Sequence, residues 1–297
     1  AGYVKNNDWI LSPRARLGLK NFKIGALSFS YSKSYSTPQA NILLPNYQLG
    51  SYNTFKRGTQ NIEFPRRNSY IFNYRLKNNK QTKTVSIRMQ YVNSNGKYST
   101  ENRIGQDLLF SSSKFVDSED VLSSNIDFTS YFKKLKLSTN LGTSQTWTNS
   151  LVQVNTSGFQ DLNSYTSSYF LSGTTYFKLP INLKFKFIFN TAKSIFNSIE
   201  SKTNWETVNL DFTYKLSKTW IATLQNKFYR TTDGNYSFID INLDYTPKKS
   251  RFSYQLVFNN LNNENVFTIN NISEFTTYKS STQLLPRYVF GLVKYRF

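Results

Sequence analysis

The feature that most limits what this chain can fold into is the strict alternation of apolar and polar residues over many segments. In one of them Phe185 and Phe187 alternate with Lys184 and Lys186, and the pattern recurs along the chain. A period of two is typical of strands that have one apolar face. The segments run for about 10 to 12 residues, the length that a tilted strand needs to cross a bilayer. Strands of soluble proteins are usually about 5 or 6 residues long.

The polar side of the same segments carries Asp, Lys, Arg and Asn. These side chains suit a water-filled or plugged lumen, whereas they would be strongly unfavourable in the packed core of a sandwich. The pattern therefore predicts an all-β chain of the transmembrane antiparallel up-and-down β-barrel class. A soluble β-sandwich or β-solenoid is the alternative.

Composition agrees with strands. The chain contains 25 Phe, 21 Tyr and 4 Trp, and its mean hydropathy is −0.51. Aromatic residues favour strands, and a barrel keeps a low mean hydropathy because only every second residue meets lipid. With no Cys and no His, the chain lacks thiol ligands and the commonest general base. We therefore predict no catalytic residue, no metal site and no cofactor, and expect that the protein is not an enzyme.

The net charge is +20, from 37 Lys and Arg against 17 Asp and Glu. Such a charge is compatible with nucleic-acid binding or with a surface that faces anionic lipid head groups. The basic residues are scattered through strands and turns without a basic helix or a nucleic-acid-binding motif, which favours lipid and argues against nucleic acid.

Short basic turns alternate with longer polar connections, as in outer-membrane barrels, whose short turns are periplasmic and long loops extracellular. Basic turns fall near 20–23, 77–80, 133–134, 178–180, 216–218 and 247–249, and long connections near 37–67, 94–120, 149–164, 193–204 and 263–283. This gives about 13 strands: 9–20, 25–36, 68–77, 82–93, 121–132, 135–148, 165–177, 181–192, 205–215, 218–231, 235–246, 250–262 and 284–297.

The strand number carries an expectation about completeness. If the last strand ends in the periplasm, the first of 13 runs downward and residue 1 lies outside the cell, although single-chain bacterial barrels have even strand numbers. We therefore expect residues 1–297 to be the C-terminal portion of a larger barrel, without a plug domain, whose strand 9–20 pairs with a strand absent from this sequence.

The last strand ends on Phe297, with Tyr295 and Val293 at alternate positions before it. This ending resembles the C-terminal signal that the assembly machinery of outer-membrane barrels recognises. The Asn260-Leu261-Asn262 stretch, the Pro286-Arg287 pair and the Tyr-Arg-Phe end resemble the closing hairpin of TonB-dependent receptors, although Asn262 stands where Phe is usual. The segment from Ser12-Pro13-Arg14 to Tyr31-Ser32 resembles the middle of the same barrels.

The resemblance implies a barrel of 22 strands that is closed by an N-terminal plug and imports a scarce substrate with energy from the inner membrane. Its partners would be outer-membrane lipid, upstream strands and a plug of the same or another chain, and other outer-membrane proteins, in a Gram-negative outer membrane. The second hypothesis is a non-transporting accessory barrel within a larger assembly.

The predicted lumen face holds the candidate site residues, which could form cross-strand ion pairs, contact a plug or remain solvated. They are Arg14, Arg16, Arg88, Asp127, Lys184, Lys186, Asp211, Asp240 and Asp244. We assign the tryptophans near strand ends to interfacial girdles: Trp9, Trp147, Trp205 and Trp220. The loop aromatics Tyr47, Tyr52, Phe55 and Tyr98 either stack on a ligand or pack on each other.

Overall fold

The structure, a computed structural model, describes residues 11–21, 25–59, 63–78, 82–155, 158–272 and 277–296. Its strands are β1 (Arg14–Asn21), β2 (Gly25–Tyr35), β3 (Gln48–Ser51), β4 (Thr54–Arg57), β5 (Arg66–Lys77), β6 (Lys83–Ile104), β7 (Leu109–Phe132), β8 (Leu137–Val154), β9 (Gln160–Thr175), β10 (Ile181–Phe196), β11 (Ile199–Lys215), β12 (Trp220–Arg230), β13 (Asn235–Tyr245), β14 (Phe252–Asn259), β15 (Val266–Ile272), β16 (Thr277–Gln283) and β17 (Tyr288–Tyr295). One 3-10 turn spans Ala40–Ile42. Within the described ranges, no helix has the length and apolar character needed to cross a membrane.

Thirteen strands form one antiparallel sheet in the order β1-β2-β5-β6-β7-β8-β9-β10-β11-β12-β13-β14-β17. These are the thirteen predicted strands, so the predicted fold class is confirmed. Consecutive strands of the sheet are joined at alternate ends. The end with the short connections, including 133–136 and 246–251, is called here the turn end, and the other the loop end.

The sheet is open. Over the described residues, β1 pairs only with β2 and β17 only with β14. The free edge of β1, at Leu17 and Leu19, therefore makes no ladder with Tyr288–Tyr295, as expected of a sheet that does not close on itself.

Three predicted long connections are mostly strand. The 94–120 segment extends β6 and β7 into a hairpin closed at 105–108, and the 149–164 segment extends β8 and β9. The 193–204 segment extends β10 and β11 to a tight turn at Asn197 and Ser198, whose φ angles of 48° and 66° are those a type I′ hairpin turn requires. Prediction failed here because both faces of a strand beyond the membrane meet water or other loops, so its apolar and polar residues do not alternate.

The hairpin of β6 and β7 reverses its neighbours at the loop end. Toward the turn end, β7 lies between β6 and β8. At the loop end, β6 instead pairs with β8 at Glu101–Asn102, and β7 pairs with β4 at Thr54–Arg57. A half-turn of the hairpin explains the exchange. It begins near Gly96, whose φ of 85° suits glycine and whose missing Cβ leaves room for the Phe115 ring.

Compact packing is confined mainly to this end. The buried apolar side chains of the described residues are Val92, Val116, Leu162 and Val257, and the first three belong to the extended hairpins or their bases. The rest of the sheet is one layer with two accessible faces.

Candidate functional site

The strand register separates the sheet into an apolar face and a polar face. The apolar face carries Phe72, Ile126, Leu171, Phe187, Leu210 and their register partners, in rows that continue across the sheet. Phe212 lies on this face and is 45% exposed, so it is not buried in a soluble core. An exposed apolar face of this extent is what a lipid-facing surface requires.

Aromatic rows border the apolar face at both ends. Near the loop end Tyr70 stacks between Tyr31 and Tyr91, with ring centroids 5.1 and 6.1 Å away. Near the turn end Trp220 stacks on Tyr245 at 4.5 Å. Such rows are typical of the interfacial girdles of membrane barrels.

The girdle assignment holds for two of the four tryptophans. Trp147 contacts Tyr165 in the loop-end row, with ring centroids 5.3 Å apart, and Trp220 belongs to the turn-end row. Trp205 was assigned wrongly: it is opposite Asn190, on the same face as Asp211. The alternation of β11 puts odd-numbered residues on the polar face, and this parity outweighs proximity to a strand end. Trp9 lies outside the described residues.

All nine predicted lumen residues share the polar face. The register connects them through polar partners: Arg14 with Ser32, Arg16 with Ser30, Arg88 with Asn73 and Asn125, Asp127 with Ser86, Lys184 with Asp211, Lys186 with Asn209, Asp240 with Gln225, and Asp244 with Gln255. The structure thus places these residues on one surface, and their orientation toward a lumen remains a prediction.

Arginines gather at the β1 side of this face. A depression of about 500 Å³ is lined by Arg14, Arg16 and Arg88, together with Ser30, Ser32 and Asn73. Arg16 also borders a neighbouring depression with Arg75 and Lys20. Hydroxyl and amide groups between several guanidinium groups can bind an anion through charge-assisted hydrogen bonds.

The acidic residues of the polar face are partly engaged. Asp211 lies 4.0 Å from Lys184 across the β10–β11 pair, a weak contact because the lysine is largely solvated. The Asp240 carboxylate accepts the backbone N–H of Asn260 at 2.9 Å. Among the described residues, no group of three acidic, His or Cys side chains is arranged to hold a metal.

Asn260, from the stretch that resembles a closing-hairpin motif, has a structural role. It is 7% exposed, adopts a φ of 52°, and its side chain donates to the carbonyl oxygens of Glu264 and Leu285. It therefore ties the end of β14 to the segment that leads into β17. Val293 and Tyr295 lie on the apolar face of β17, and Phe297 lies outside the described residues.

A buried charge cluster at the loop end was missed by sequence analysis. Glu101 is 4% exposed and lies 2.8 Å from Lys114 and 3.4 Å from Arg103, and Ser112 donates to it at 3.2 Å. Lys114 also donates to Gln153, at 3.4 Å, so the cluster joins β6, β7 and β8. The pairing with Lys114 is the main cause that holds the pKa of Glu101 below its ordinary value of 4.5, against the opposing effect of desolvation.

The loop aromatics fall into two groups. Phe55 stacks on Phe110 and Tyr47 meets the same ring edge-on, with centroids 5.4 and 5.6 Å away. Tyr98 packs on Phe115 and its hydroxyl bonds the backbone of Glu63. These three pack within the protein, whereas Tyr52 is 95% exposed.

The loop end has two further features, a polar depression and a hairpin that packs on the polar face. A polar depression of about 550 Å³ is lined by Arg57, Lys114 and Ser112. The β15–β16 hairpin folds over the polar face, where Phe267 contacts the rings of Tyr236, Tyr229 and Phe238 at 4.8, 5.6 and 6.1 Å. The loop end thus carries polar and charged groups and a hairpin that covers part of the polar face.

The turn end is basic throughout. Each described turn segment carries lysine and none carries a carboxylate: 77–78 and 82–83, 133–136, 176–180, 215–219 and 246–251. These turns are called the basic rim. None of their lysines forms an ion pair with a described carboxylate. The antiparallel order places Lys133, Lys134 and Lys248 at the end opposite residues 37–59 and 263–272, as predicted.

Known structures resemble this sheet, although no family model and no curated protein matches the sequence. A point mutant of the ferric enterobactin receptor of Pseudomonas aeruginosa is 11% identical, with a TM-score of 0.52 over 84% of this chain and 41% of the receptor. A double mutant of that receptor has a TM-score of 0.49 at 10% identity over 84% of this chain and 43% of its own. The ferric-catecholate import receptor of E. coli K12 has a TM-score of 0.42 at 10% identity over 96% and 57%.

The chain therefore spans less than half of the ferric enterobactin receptor that it matches. At this identity the likeness establishes the fold, and the receptor-barrel resemblance predicted from the sequence is confirmed at that level. The chain has the fold of part of an outer-membrane receptor barrel.

Proposed function

We propose that this chain is the C-terminal part of the barrel of a TonB-dependent, receptor-like importer in the outer membrane of a Gram-negative bacterium. The observation that carries the proposal is a thirteen-stranded open sheet with an exposed apolar face, a charged polar face and a compactly packed loop end. The likeness to the ferric enterobactin receptor supports the same setting.

We infer further that strands outside this sequence cover both edges of the sheet. Within lipid, an unpaired backbone N–H or C=O costs several kcal/mol, because no water is present to bond it. The unpaired sides of β1 and β17 both lie in strands of the membrane-facing sheet. Upstream strands of the same polypeptide are the partners that the proposal requires.

The charges of the chain suit an anionic substrate. Arg57 and Lys114 line the depression at the loop end, and Arg14, Arg16 and Arg88 line the one on the polar face. A ferric catecholate complex is an anion, and the likeness to a ferric enterobactin receptor makes ferric enterobactin the first probe. Binding at the loop end followed by contact with the polar face is the route that this arrangement offers.

The test is uptake of radioactive iron from ferric enterobactin in cells that lack the gene, complemented with the full-length protein or its variants. We expect uptake that requires the protein and stops when a protonophore removes the energy of the inner membrane. Arg57→Gln should raise the concentration needed for half-maximal uptake. The importer proposal is wrong if the protein is required for uptake of none of these compounds: ferric enterobactin, other ferric siderophores, cobalamin and oligosaccharides. Stoichiometric co-purification with another outer-membrane protein would then favour the accessory barrel.

A further inference from the structure

The basic rim has a one-sided charge that neither folding nor transport explains. All the carboxylates of the described residues lie in the strands or toward the loop end, and none lies in the five described turns of the rim. The loop end, in contrast, balances its lysines against acids, as in the pairs Lys97–Glu119 and Lys193–Glu200 at 2.9 and 2.8 Å. Like charges without counter-charges in the chain make the rim a surface that attracts anions from outside it.

The rim lies beside the turn-end aromatic girdle. Lys218 is exposed and lies in the turn that enters β12 at Trp220. Trp220 stacks on Tyr245, and Tyr245 on Tyr254, along the apolar face next to the turn that contains Lys248. Aromatic rings at this position mark the boundary between hydrocarbon and head groups. The long lysine side chains therefore reach the level of the lipid phosphates.

We propose that the basic rim binds the phosphate groups of anionic phospholipids in the leaflet that the turn end faces. The charges are spread over successive turns along the sheet instead of gathered in one patch, which matches a row of lipids better than a docked protein. Each lysine close to an anionic membrane surface contributes about 1 kcal/mol, a factor of about five in association. The bound lipids would neutralise the rim and fix the height of the barrel in the membrane.

Trp220 allows a local measurement. In the full-length protein, inserted in vesicles, every other tryptophan is replaced by Phe, and quenching of Trp220 by brominated phosphatidylglycerol is compared with quenching by brominated phosphatidylcholine. A matched variant keeps Trp147 alone and reports on the loop end. We expect phosphatidylglycerol to be enriched about fivefold or more beside Trp220 and much less beside Trp147.

Salt and charge neutralisation separate the outcomes. Raising NaCl from about 20 mM to about 0.5 M shortens the screening length from about 20 Å to about 4 Å, and should remove most of the enrichment. Lys218→Gln with Lys248→Gln should lower it several-fold, whereas Lys193→Gln with Lys202→Gln at the loop end should leave it unchanged. Equal enrichment at both tryptophans, none at low salt, or an acidic protein bound to the rim in place of lipid would overturn the proposal.

Discussion

Arginine substitutions on the two opposite faces of β8 test which face meets lipid. Leu141 lies on the apolar face between Phe128 and Leu171, and it is 53% exposed. It is four residues above the start of β8 and six below Trp147, so at about 3.3 Å per residue and a tilt near 40° it lies close to the middle of a band about 25 Å tall. Ser144 lies on the polar face between Asn125 and Ser168, where no charged side chain is directly opposite.

Leu141→Arg should lower the free energy of unfolding by about 2–4 kcal/mol, and Ser144→Arg by about 0–1 kcal/mol, because only the first places a cation in hydrocarbon. With a guanidinium slope of about 4 kcal/mol/M, the first loss moves the unfolding midpoint by about 0.5–1 M. The measurement is denaturant unfolding of the full-length protein in vesicles, followed by tryptophan fluorescence. Similar losses for the two variants, or a larger loss for Ser144→Arg, would refute the assignment of the faces.

Three other predictions concern the loop end and the topology. Glu101→Gln should speed amide hydrogen exchange in the extended β6–β7 hairpin, since Lys114 and Arg103 lose their buried partner. In the wild type the depressed pKa of Glu101 means that its stabilisation is present above pH 4.5 and is lost as pH falls through the lower folded value, so the protection factors of these amides, which are corrected for the intrinsic exchange rate at each pH, should fall there. Gly96→Ala should cost about 1–2 kcal/mol of local stability, because Gly96 has a positive φ and its Cβ would meet the Phe115 ring. Limited proteolysis of this variant should cut the 94–120 hairpin first. The control variant Gly105→Ala should show no such effect. In intact cells a membrane-impermeant thiol reagent should label Ser51→Cys and leave Lys248→Cys unlabelled. The 297 residues contain no cysteine, so they give no background labelling. The reverse pattern would mean that the topology is inverted.

The sheet could be predicted from the sequence because a membrane imposes a simple rule on each strand. Lipid on one side and a polar space on the other make alternation visible, as in Phe185 and Phe187 against Lys184 and Lys186. The same rule placed all nine candidate residues on one face. Trp205 was misplaced where strand position was used in place of parity.

Particular contacts were beyond the sequence. Nothing in the spacing of Glu101 and Lys114 indicates that they meet, since their approach depends on the half-turn of the hairpin and on β8 alongside it. The ladder that sets Asn260 beside Leu285 also depends on distant strands. Outside the membrane both faces of a strand meet water or other loops, so the one-sided pattern that marks a strand is lost.

The two ends and the middle of the molecule are stabilised by different forces, and this division bears on function. In the sheet, backbone pairing takes the place of a buried core, so side chains such as Arg88 and Lys186 on the polar face are not needed for packing within the chain. At the loop end, buried residues such as Val92 and Glu101 build a compact structure that can hold a binding surface in shape. At the turn end, the lysines of the described turns form no ion pair with a described carboxylate, and we propose that anionic lipids neutralise them. The proposed importer would need a shaped outer surface, an adaptable polar interior and a secure position in the membrane, for which the loop end, the sheet and the turn end are respectively suited.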